Sequence, residues 1–350
     1  MHLFRSAATF LALAALPAAL LPAATPTSGQ GFHVEDRWNI GGSGGWGYLS
    51  LDPATHHLLI ARTDHISVLD TSTGKLLGEI DGMSNIRDIA LDDSGKYGYA
   101  TDVTDGTAGF VRVFDRSAYK LVASIPTGPI PYAIVFDPDT KLVFAFSSRA
   151  HNVAVIDAAT NQAASTIPLD GRPGNAAGDG KGNIYVALPA QGEIQRIDAA
   201  SKKVIASWTI SACAGPSNLA IDVAQRQLFT TCEDHKLVAV STGNGHTTII
   251  GNAPENAGDL NFDSRTNMLF LADPAGLLTI FRRDSLHRYT RLQDVKTESG
   301  ARTLAVNDDD SKAYLVTAKF GMNNSPNVSE ELRYRPTPIP GTFSVIVVGR

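Results

Sequence analysis

The sequence predicts an all-β fold, a seven-bladed β-propeller whose blades each contain four antiparallel strands. A short apolar segment that ends in Asp, or once in Asn, recurs at intervals of 40 to 45 residues, which is the usual size of a blade. Each interval contains four strand-sized apolar segments. The 350 residues include 31 Gly and 18 Pro, with 19% charged residues, a composition suited to short strands and tight turns. The recurring residues are Asp52, Asp92, Asp137, Asp179, Asp222, Asp263 and Asn307.

One repeat shows the expected order of strands within a blade. The first strand ends at Asp137, the second follows the Pro138 turn, and the third runs from Val153 to Ile156. A fourth strand closes the repeat at Ile167, and β-branched residues in alternation favour strands over helices. Four third strands end in an Asp that is expected to open a tight turn by accepting backbone N–H groups. These residues are Asp70, Asp115, Asp157 and Asp198.

The register also predicts how the ring closes. Val34 to Ile40 matches a fourth strand without a blade before it, and Trp38 falls at the position that Trp208 takes in a later repeat. Ser344 to Val348 matches a third strand without a fourth after it. Joining the two segments in one sheet removes the unpaired edges of an open ring. We therefore expect residues 32–350 to form a single propeller domain, with the N-terminal strand completing the last blade.

The first residues indicate export. Residues 1–28 combine one early positive charge at Arg5, an apolar run from Ala7 to Leu21, and small residues from Ala23 to Ser28. This is the pattern of a secretory signal peptide, and the run is short for a membrane span. No Cys lies near the expected cleavage region, so a lipid anchor is not indicated. The mature protein is expected to be a monomer, periplasmic or secreted, with no membrane span.

The chain has two cysteines, Cys213 and Cys232. An even number in an exported chain is compatible with one disulfide. Cys213 lies in the loop that enters the fifth blade, and Cys232 lies at the end of that blade's second strand. Both positions belong to the same face of the same blade, so the sequence predicts a Cys213–Cys232 bridge.

The repeats resemble those of the YVTN-repeat, YncE-like β-propellers. The resemblance rests on the third-strand pattern Val153 to Thr160, on second strands such as Tyr185 to Leu188, and on the inner hairpins that follow each Asp. It covers nearly the whole mature chain. Blades five and six depart from the pattern, with Ser241 and Arg282 in place of the third-strand Asp. The resemblance implies an exported seven-bladed repeat protein and supplies no catalytic motif.

The topology places a candidate site at one mouth of the central channel. In antiparallel blades, the loop between consecutive blades shares a face with the loop between the second and third strands, and such loops often carry function. The two positions that lie five and four residues before each inner Asp meet at this mouth. We interpret the site as binding a small polar ligand, a peptide or a protein, without catalysis. The candidate ligand-binding residues are Arg87, Asp88, Tyr132, Asn175, Asn218, Asp259 and Arg302.

Two alternatives stay open for the same residues. Asp88, Asn175, Asn218 and Asp259 could hold Ca²⁺ or another divalent cation through carboxylate and amide oxygens. Together with a faint similarity of residues 215–220 to metal-dependent lactonase propellers, this suggests a lactonase or esterase. The other alternative is that polar side chains at a water-filled mouth are merely solvated. No cofactor is otherwise indicated, and the net charge of −5 argues against a nucleic-acid partner.

A long insert, residues 320–341, separates the second and third strands of the last blade. It contains Arg333, Tyr334 and Arg335 and four prolines. Long loops in compact domains are often functional. The topology predicts that the insert leaves the ring on the mouth face. Two interpretations of the insert therefore remain: a partner-binding lid that covers the mouth, and an uncommitted surface loop.

Overall fold

The computed structural model describes residues 31–104, 107–322 and 336–350. Residues Phe32–Arg350 form one compact unit. The predicted signal peptide, residues 1–28, lies outside the described residues. Within the described ranges, no helix has the length and apolar character that a membrane crossing requires. The one helical turn that interrupts the strands there is the short 3₁₀ helix Pro189–Gln191.

Six blades each consist of four consecutive antiparallel strands, and we number them 1 to 6 in chain order. In every blade the chain crosses from the central channel to the rim. Blade 1 contains β2 Trp46–Asp52, β3 His57–Arg62, β4 Ile66–Asp70 and β5 Leu76–Ile80; blade 2 contains β6 Ile86–Leu91, β7 Tyr97–Val103, β8 Gly109–Asp115 and β9 Lys120–Thr127. Blade 3 contains β10 Pro131–Asp137, β11 Leu142–Ser147, β12 Asn152–Asp157 and β13 Gln162–Pro168; blade 4 contains β14 Ala176–Gly178, β15 Asn183–Leu188, β16 Glu193–Asp198 and β17 Lys203–Thr209. Blade 5 contains β18 Ala220–Asp222, β19 Gln227–Thr231, β20 Lys236–Ser241 and β21 Thr247–Asn252; blade 6 contains β22 Leu260–Asp263, β23 Met268–Asp273, β24 Leu277–Ser285 and β25 Arg288–Lys296.

Blade 7 joins the two ends of the chain, as the register predicts. Its strands are β26 Leu304–Asn307, β27 Lys312–Thr317, β30 Ser344–Gly349 and, outermost, the N-terminal β1 His33–Asn39. β1 pairs antiparallel with β30, with Trp38 opposite Val345. The remaining strands, β28 Phe320–Gly321 and β29 Thr337–Pro338, pair with each other at the base of the long insert. The predicted seven-bladed architecture and its closure are confirmed.

The two tryptophans that the register made equivalent occupy equivalent places. Trp38, on the last strand of blade 7, lies over Gly74, in a turn of blade 1. Trp208, on the last strand of blade 4, lies over Gly245, in the matching turn of blade 5. Both glycines have a positive φ, and a Cβ at either would overlap the indole ring. The contact at the closure is therefore built like a contact inside the ring.

The repeated aspartates hold turns, as expected. Asp70 accepts hydrogen bonds from the backbone N–H groups of Ser72 and Thr73 and from both hydroxyls, which lower the pKa of Asp70 to about 2. Asp115, Asp157 and Asp198 accept comparable N–H groups at the end of their own third strands. These carboxylates stabilise the turns of their own blades, so we do not count them as ligand-binding candidates.

The core lies between the blades as well as within them. Phe144 and Phe146 of β11 pack against Ile184 and Val186 of β15, so the layer between blades 3 and 4 is a shared apolar cluster. All four side chains are fully buried. Because each blade buries one face on each neighbour, the rigidity of the ring depends on every blade being present. This rigidity fixes the positions of the mouth residues.

Candidate functional site

In blades 1, 2, 3 and 6 the chain bulges where the first strand reaches the mouth. In blade 1 the pairing shifts between Trp46 and Leu49, so Gly47 and Tyr48 together face one residue of β3. Blades 2 and 3 shift at the corresponding positions of β6 and β10. Blade 6 has the same two-against-one arrangement, with Gly258 and Asp259 both opposite Ala272. The Gly258 N–H donates to the Ala272 carbonyl, and the Ala272 N–H donates to the Asp259 carbonyl. A β-bulge changes the direction of the side chains next to it, and here it falls at the two candidate positions.

Glycine occupies the first of these two positions in blades 1, 4 and 6 for a steric reason. A Cβ on Gly47 would overlap the backbone carbonyl of Arg87, and one on Gly258 would overlap the carbonyl of Arg302. A Cβ on Gly174 would lie 3.1 Å from the Ser217 carbonyl oxygen. The backbone of the next blade thus leaves no room for a side chain at Gly47 or Gly258, and leaves little room at Gly174. These glycines are structural, and the functional groups at this level come from the other blades.

Asp88 and Asp259, at the second position, connect their own blade to the next one. The Asp88 carboxylate accepts the Ile89 N–H at 2.9 Å and the Ile134 N–H of blade 3 at 3.0 Å. Asp259 likewise accepts the Leu260 N–H at 2.9 Å and a backbone N–H from Leu304 of blade 7. Burial raises the pKa of each carboxyl to about 7, and the charge on Asp88 adds to the increase at Asp259.

The two candidate asparagines make different contacts. Asn218 donates from Nδ2 to the Gly258 carbonyl of blade 6 at 2.7 Å and to Thr231 Oγ1 at 3.2 Å. Asn175 accepts the Ala176 N–H at 2.8 Å. The amide of Asn218 therefore bridges two blades, while Asn175 caps its own strand. The side chains of the four proposed cation ligands are thus already used for inter-blade or local hydrogen bonds.

Two tyrosine hydroxyls meet at the mouth. Tyr48 of blade 1 and Tyr132 of blade 3 lie 3.1 Å apart, oxygen to oxygen, with their rings edge to face. Burial, together with the charges of Tyr132, Asp259 and Asp88, raises the pKa of Tyr48 well above its ordinary value. Tyr48 was not among the candidate residues. It occupies the same register position as Asp88 and Asp259, and that position was the signal that could have identified it.

These groups surround a cavity of about 300 Å³, which we call the arginine cavity. It brings together five of the seven candidates, Arg87, Tyr132, Asn218, Asp259 and Arg302. Asp88 is not among the residues that line it. Three further side chains line the cavity: Trp46, which the register did not identify, and Tyr48 and Thr303, which occupy the second register position but were not chosen as candidates. The wall residues are Trp46, Gly47, Tyr48, Arg87, Tyr132, Asn218, Ala257, Gly258, Asp259, Arg302 and Thr303.

A second cavity of about 540 Å³ adjoins the first, and we call it the proline cavity. The two share Tyr132 and Asn218 as common wall residues. Asn175, the remaining candidate, lies here and not in the arginine cavity. The wall residues are Tyr132, Ser148, Arg172, Pro173, Gly174, Asn175, Pro189, Ala190, Ser217, Asn218 and Glu233.

The disulfide borders the proline cavity. Cys213 and Cys232 are bonded, with their Cα atoms 5.3 Å apart, which confirms the predicted bridge. The next residue, Glu233, donates its N–H to the Ala214 carbonyl at 2.7 Å. The bridge therefore fixes the loop that leads to Ser217 and Asn218.

The base of the long insert lies beside the arginine cavity. Phe320 of β28 contacts Trp46, with ring centroids 6.0 Å apart. On the far side of the insert, Gly341 donates its N–H to the Gly42 carbonyl at 2.7 Å. Arg333, Tyr334 and Arg335 fall outside the described residues. Both described ends of the insert adjoin the segment that enters blade 1, next to the mouth.

Across residues 31–104, 107–322 and 336–350, no three His, Cys, Asp or Glu side chains converge as metal ligands would. Asp88 and Asp259 are two carboxylates only, and backbone N–H groups already bind them. This arrangement does not favour the cation site over the binding site for an organic ligand.

Comparisons with solved structures agree with the fold. Hydrazine synthase of Kuenenia stuttgartiensis is similar with a TM-score of 0.67 and 18% identity, over 77% of this chain and 92% of that one. The structure of U3-55K gives a TM-score of 0.70 at 11% identity, over 90% and 98% of the two chains. The WD40 repeats of RRP9 give 0.70 at 11% identity, over 91% and 97%. No protein-family description and no curated protein matches the chain. At these identities the likeness shows the fold alone, and the fold is a seven-bladed β-propeller.

Proposed function

We propose that this protein is an exported, non-catalytic binding propeller whose channel mouth recognises a polar or charged small ligand or a peptide segment. The observation that carries the proposal is the convergence of Arg87, Tyr132, Asn218 and Arg302, from four different blades, on one cavity. Ligand sites commonly combine a concave surface with a few convergent polar groups on a rigid scaffold. The propeller supplies the rigid scaffold.

The finer parts of the proposal rest on separate observations. Residues 1–28 and the disulfide support export to an oxidising compartment. The repeat pattern supports membership of the YVTN-repeat, YncE-like propellers, many of which lack a defined ligand. The propeller neighbours, two WD40-type proteins and a hydrazine synthase, are compatible with a binding or scaffold role at the level of the fold alone. The metal-dependent lactonase or esterase remains the alternative use of the same mouth.

A binding screen tests the proposal. Purified protein lacking residues 1–28 would be screened by thermal shift against carboxylates, sugars, peptides, nucleotides and divalent ions. Positive compounds would then be measured by titration calorimetry against Arg87→Ala and Arg302→Ala. We expect each variant to weaken binding by tenfold or more, because a guanidinium makes charge-assisted hydrogen bonds to a polar ligand.

The matched control is Arg288→Ala, on the outermost strand of blade 6. Arg288 is 77% exposed and its one ion pair, with Asp284, is 3.8 Å long. This variant should bind as the unmodified protein does. Ligands that bind equally to all three variants would place the binding surface away from the mouth and contradict the proposal.

A further inference from the structure

The wall of the arginine cavity contains two buried polar side-chain atoms that lack a hydrogen-bond partner among the described residues. The Trp46 indole nitrogen and the Thr303 hydroxyl have no hydrogen-bond partner within the described part of the chain. Both side chains line the cavity, and they are only 7% and 6% exposed. A buried polar atom without a partner costs about 1–3 kcal/mol, so proteins rarely leave two in one place. An indole N–H can only donate, which indicates that the missing partner at Trp46 is an acceptor.

The charges at the same cavity point the same way. Neither Arg87 nor Arg302 forms an ion pair with any described residue; the one hydrogen bond of the Arg302 guanidinium is a long one, 3.4 Å, to the Trp46 carbonyl. The Asp259 carboxylate accepts backbone N–H groups from Leu260 and Leu304, as described above. Two guanidinium groups without an ion-pair partner in the described ranges line this cavity, and guanidinium groups bind an anionic oxygen group through charge-assisted hydrogen bonds.

The charged groups around the arginine cavity limit the charge of the anion that it can bind. Asp259 lines the cavity, and Asp88 lies close enough to Asp259 for its charge to raise the pKa of the Asp259 carboxyl. Asp259 lines the same cavity as Arg87 and Arg302, so its carboxylate, when ionised, offsets part of their positive charge, which favours an anion with one negative charge over one with two. A carboxylate fits this balance better than a phosphate ester does, and its planar pair of oxygens matches the guanidinium fork.

The adjoining proline cavity has a different chemistry. Pro173, Pro189 and Ala190 contribute apolar surface, while Arg172 and Glu233 at its wall carry opposite charges. The cavity thus has no net charge to attract a second ionic group. Because Tyr132 and Asn218 belong to both cavities, one extended ligand can occupy the two together.

We propose that the mouth binds a ligand with a carboxylate head and an apolar body, the head between Arg87 and Arg302 and the body against Pro173 and Pro189. This inference rests on the proposed function and specifies its ligand class. A short fatty acid and the C-terminus of an apolar peptide share this chemistry. The two sources differ only in the body.

Calorimetry with five probes tests the assignment: acetate, hexanoate, hexanamide, hexyl phosphate and N-acetyl-leucyl-alanine. We expect hexanoate to bind at least tenfold more tightly than acetate, since burying roughly two methylene groups accounts for that factor. Hexanamide and hexyl phosphate should each bind at least tenfold more weakly than hexanoate. The tighter of hexanoate and the acetylated dipeptide then identifies the source of the carboxylate.

Variants separate the head from the body. Arg302→Ala should weaken acetate and hexanoate alike. Ala190→Trp, at an exposed position in the proline cavity, should remove the advantage of hexanoate over acetate and leave acetate unchanged. The matched control, Ala159→Trp, lies in an exposed turn of blade 3 on the opposite face and should change neither.

The outcomes distinguish this inference from the broader proposal. Equal binding of acetate and hexanoate, or of hexanoate and hexanamide, would overturn the two-part ligand. If another compound of the screen still required Arg87 and Arg302, the mouth would remain the binding site. If no compound bound in a way that depended on these arginines, the proposed function itself would fail.

Discussion

Replacing Trp38 by Ala tests whether the N-terminal strand closes the ring. Trp38 is 9% exposed, its ring centroid lies 5.5 Å from that of Tyr314, and its indole N–H donates to Asp36 Oδ2 at 2.9 Å. Removing a buried aromatic side chain costs about 3–5 kcal/mol. For a unit of roughly 320 residues, the entropy of unfolding is about 0.67 kcal/mol/K, so the melting temperature should fall by about 4–8 °C.

The assay is thermal unfolding followed by circular dichroism, with Val34→Ala as the matched control. Val34 lies on the same strand but is 38% exposed, and its replacement should shift the melting temperature by less than about 1 °C. Trp208→Ala removes the equivalent contact inside the ring and should cost a similar amount. Hydrogen exchange separates the two, since only Trp38→Ala should accelerate exchange of the β30 amides.

The reasoning is refuted if Trp38→Ala melts within about 1 °C of Val34→Ala. It is also refuted if the β30 amides exchange equally fast in Trp38→Ala and Trp208→Ala. Either result would mean that β1 contributes no more to the ring than an exposed strand does.

Further predictions concern the mouth and the disulfide. Gly258→Ala should destabilise the protein by about 1–3 kcal/mol because its Cβ meets backbone, whereas Gly243→Ala, whose Cβ has ordinary contacts, should be close to neutral; equal melting temperatures would contradict this. Replacing Cys213 and Cys232 by Ser should cost about 3 kcal/mol for the opened 19-residue loop, and two reactive thiols in the denatured, unreduced protein would show that the bridge is absent. Burial raises the pKa of Asp259 from 3.8 to about 7, so between these values the folded state binds the extra proton and stability falls as pH rises, by up to about 1.4 kcal/mol per pH unit. Asp259→Asn should reduce the pH dependence in denaturant titrations at pH 4 to 7.5 and leave the part that Asp88 contributes, and an unchanged pH dependence would show that Asp259 is ionised throughout. Elemental analysis should find well below one equivalent of divalent metal, and a full equivalent that is lost in Asp259→Ala would favour the hydrolase.

Most of the fold could be predicted from the sequence repeat, because each blade is built from one continuous, local stretch of chain. Asp137 and the strands after it can be recognised from residues 131–167 alone, because strand alternation and turn residues act over short distances. The pairing of β1 with β30 was also predictable, since one segment lacked a preceding blade and the other lacked a fourth strand. The candidate disulfide followed from the same register.

The site was predictable as a ring of positions but not as a set of contacts. The register identified Arg87, Arg302 and Asp259, yet it could not show that Asp259 holds Leu304 of the next blade. It assigned Asn175 to the same site as Asn218, whereas the structure places Asn175 in the adjoining cavity. Contacts of this kind join side chains and backbone groups from two blades that are far apart in the sequence, so the pattern within one repeat does not predict them.

The sequence by itself determined the number of blades, the closure of the ring and the face that carries the varied residues, because these follow from a local pattern repeated along the chain. The tertiary structure decided which residues of that face share a cavity. The bulges, the close approach of Gly47 to the Arg87 carbonyl and the meeting of Tyr48 with Tyr132 arise only when separate blades pack around one axis. Side-chain convergence is set by that packing, and no single repeat contains it.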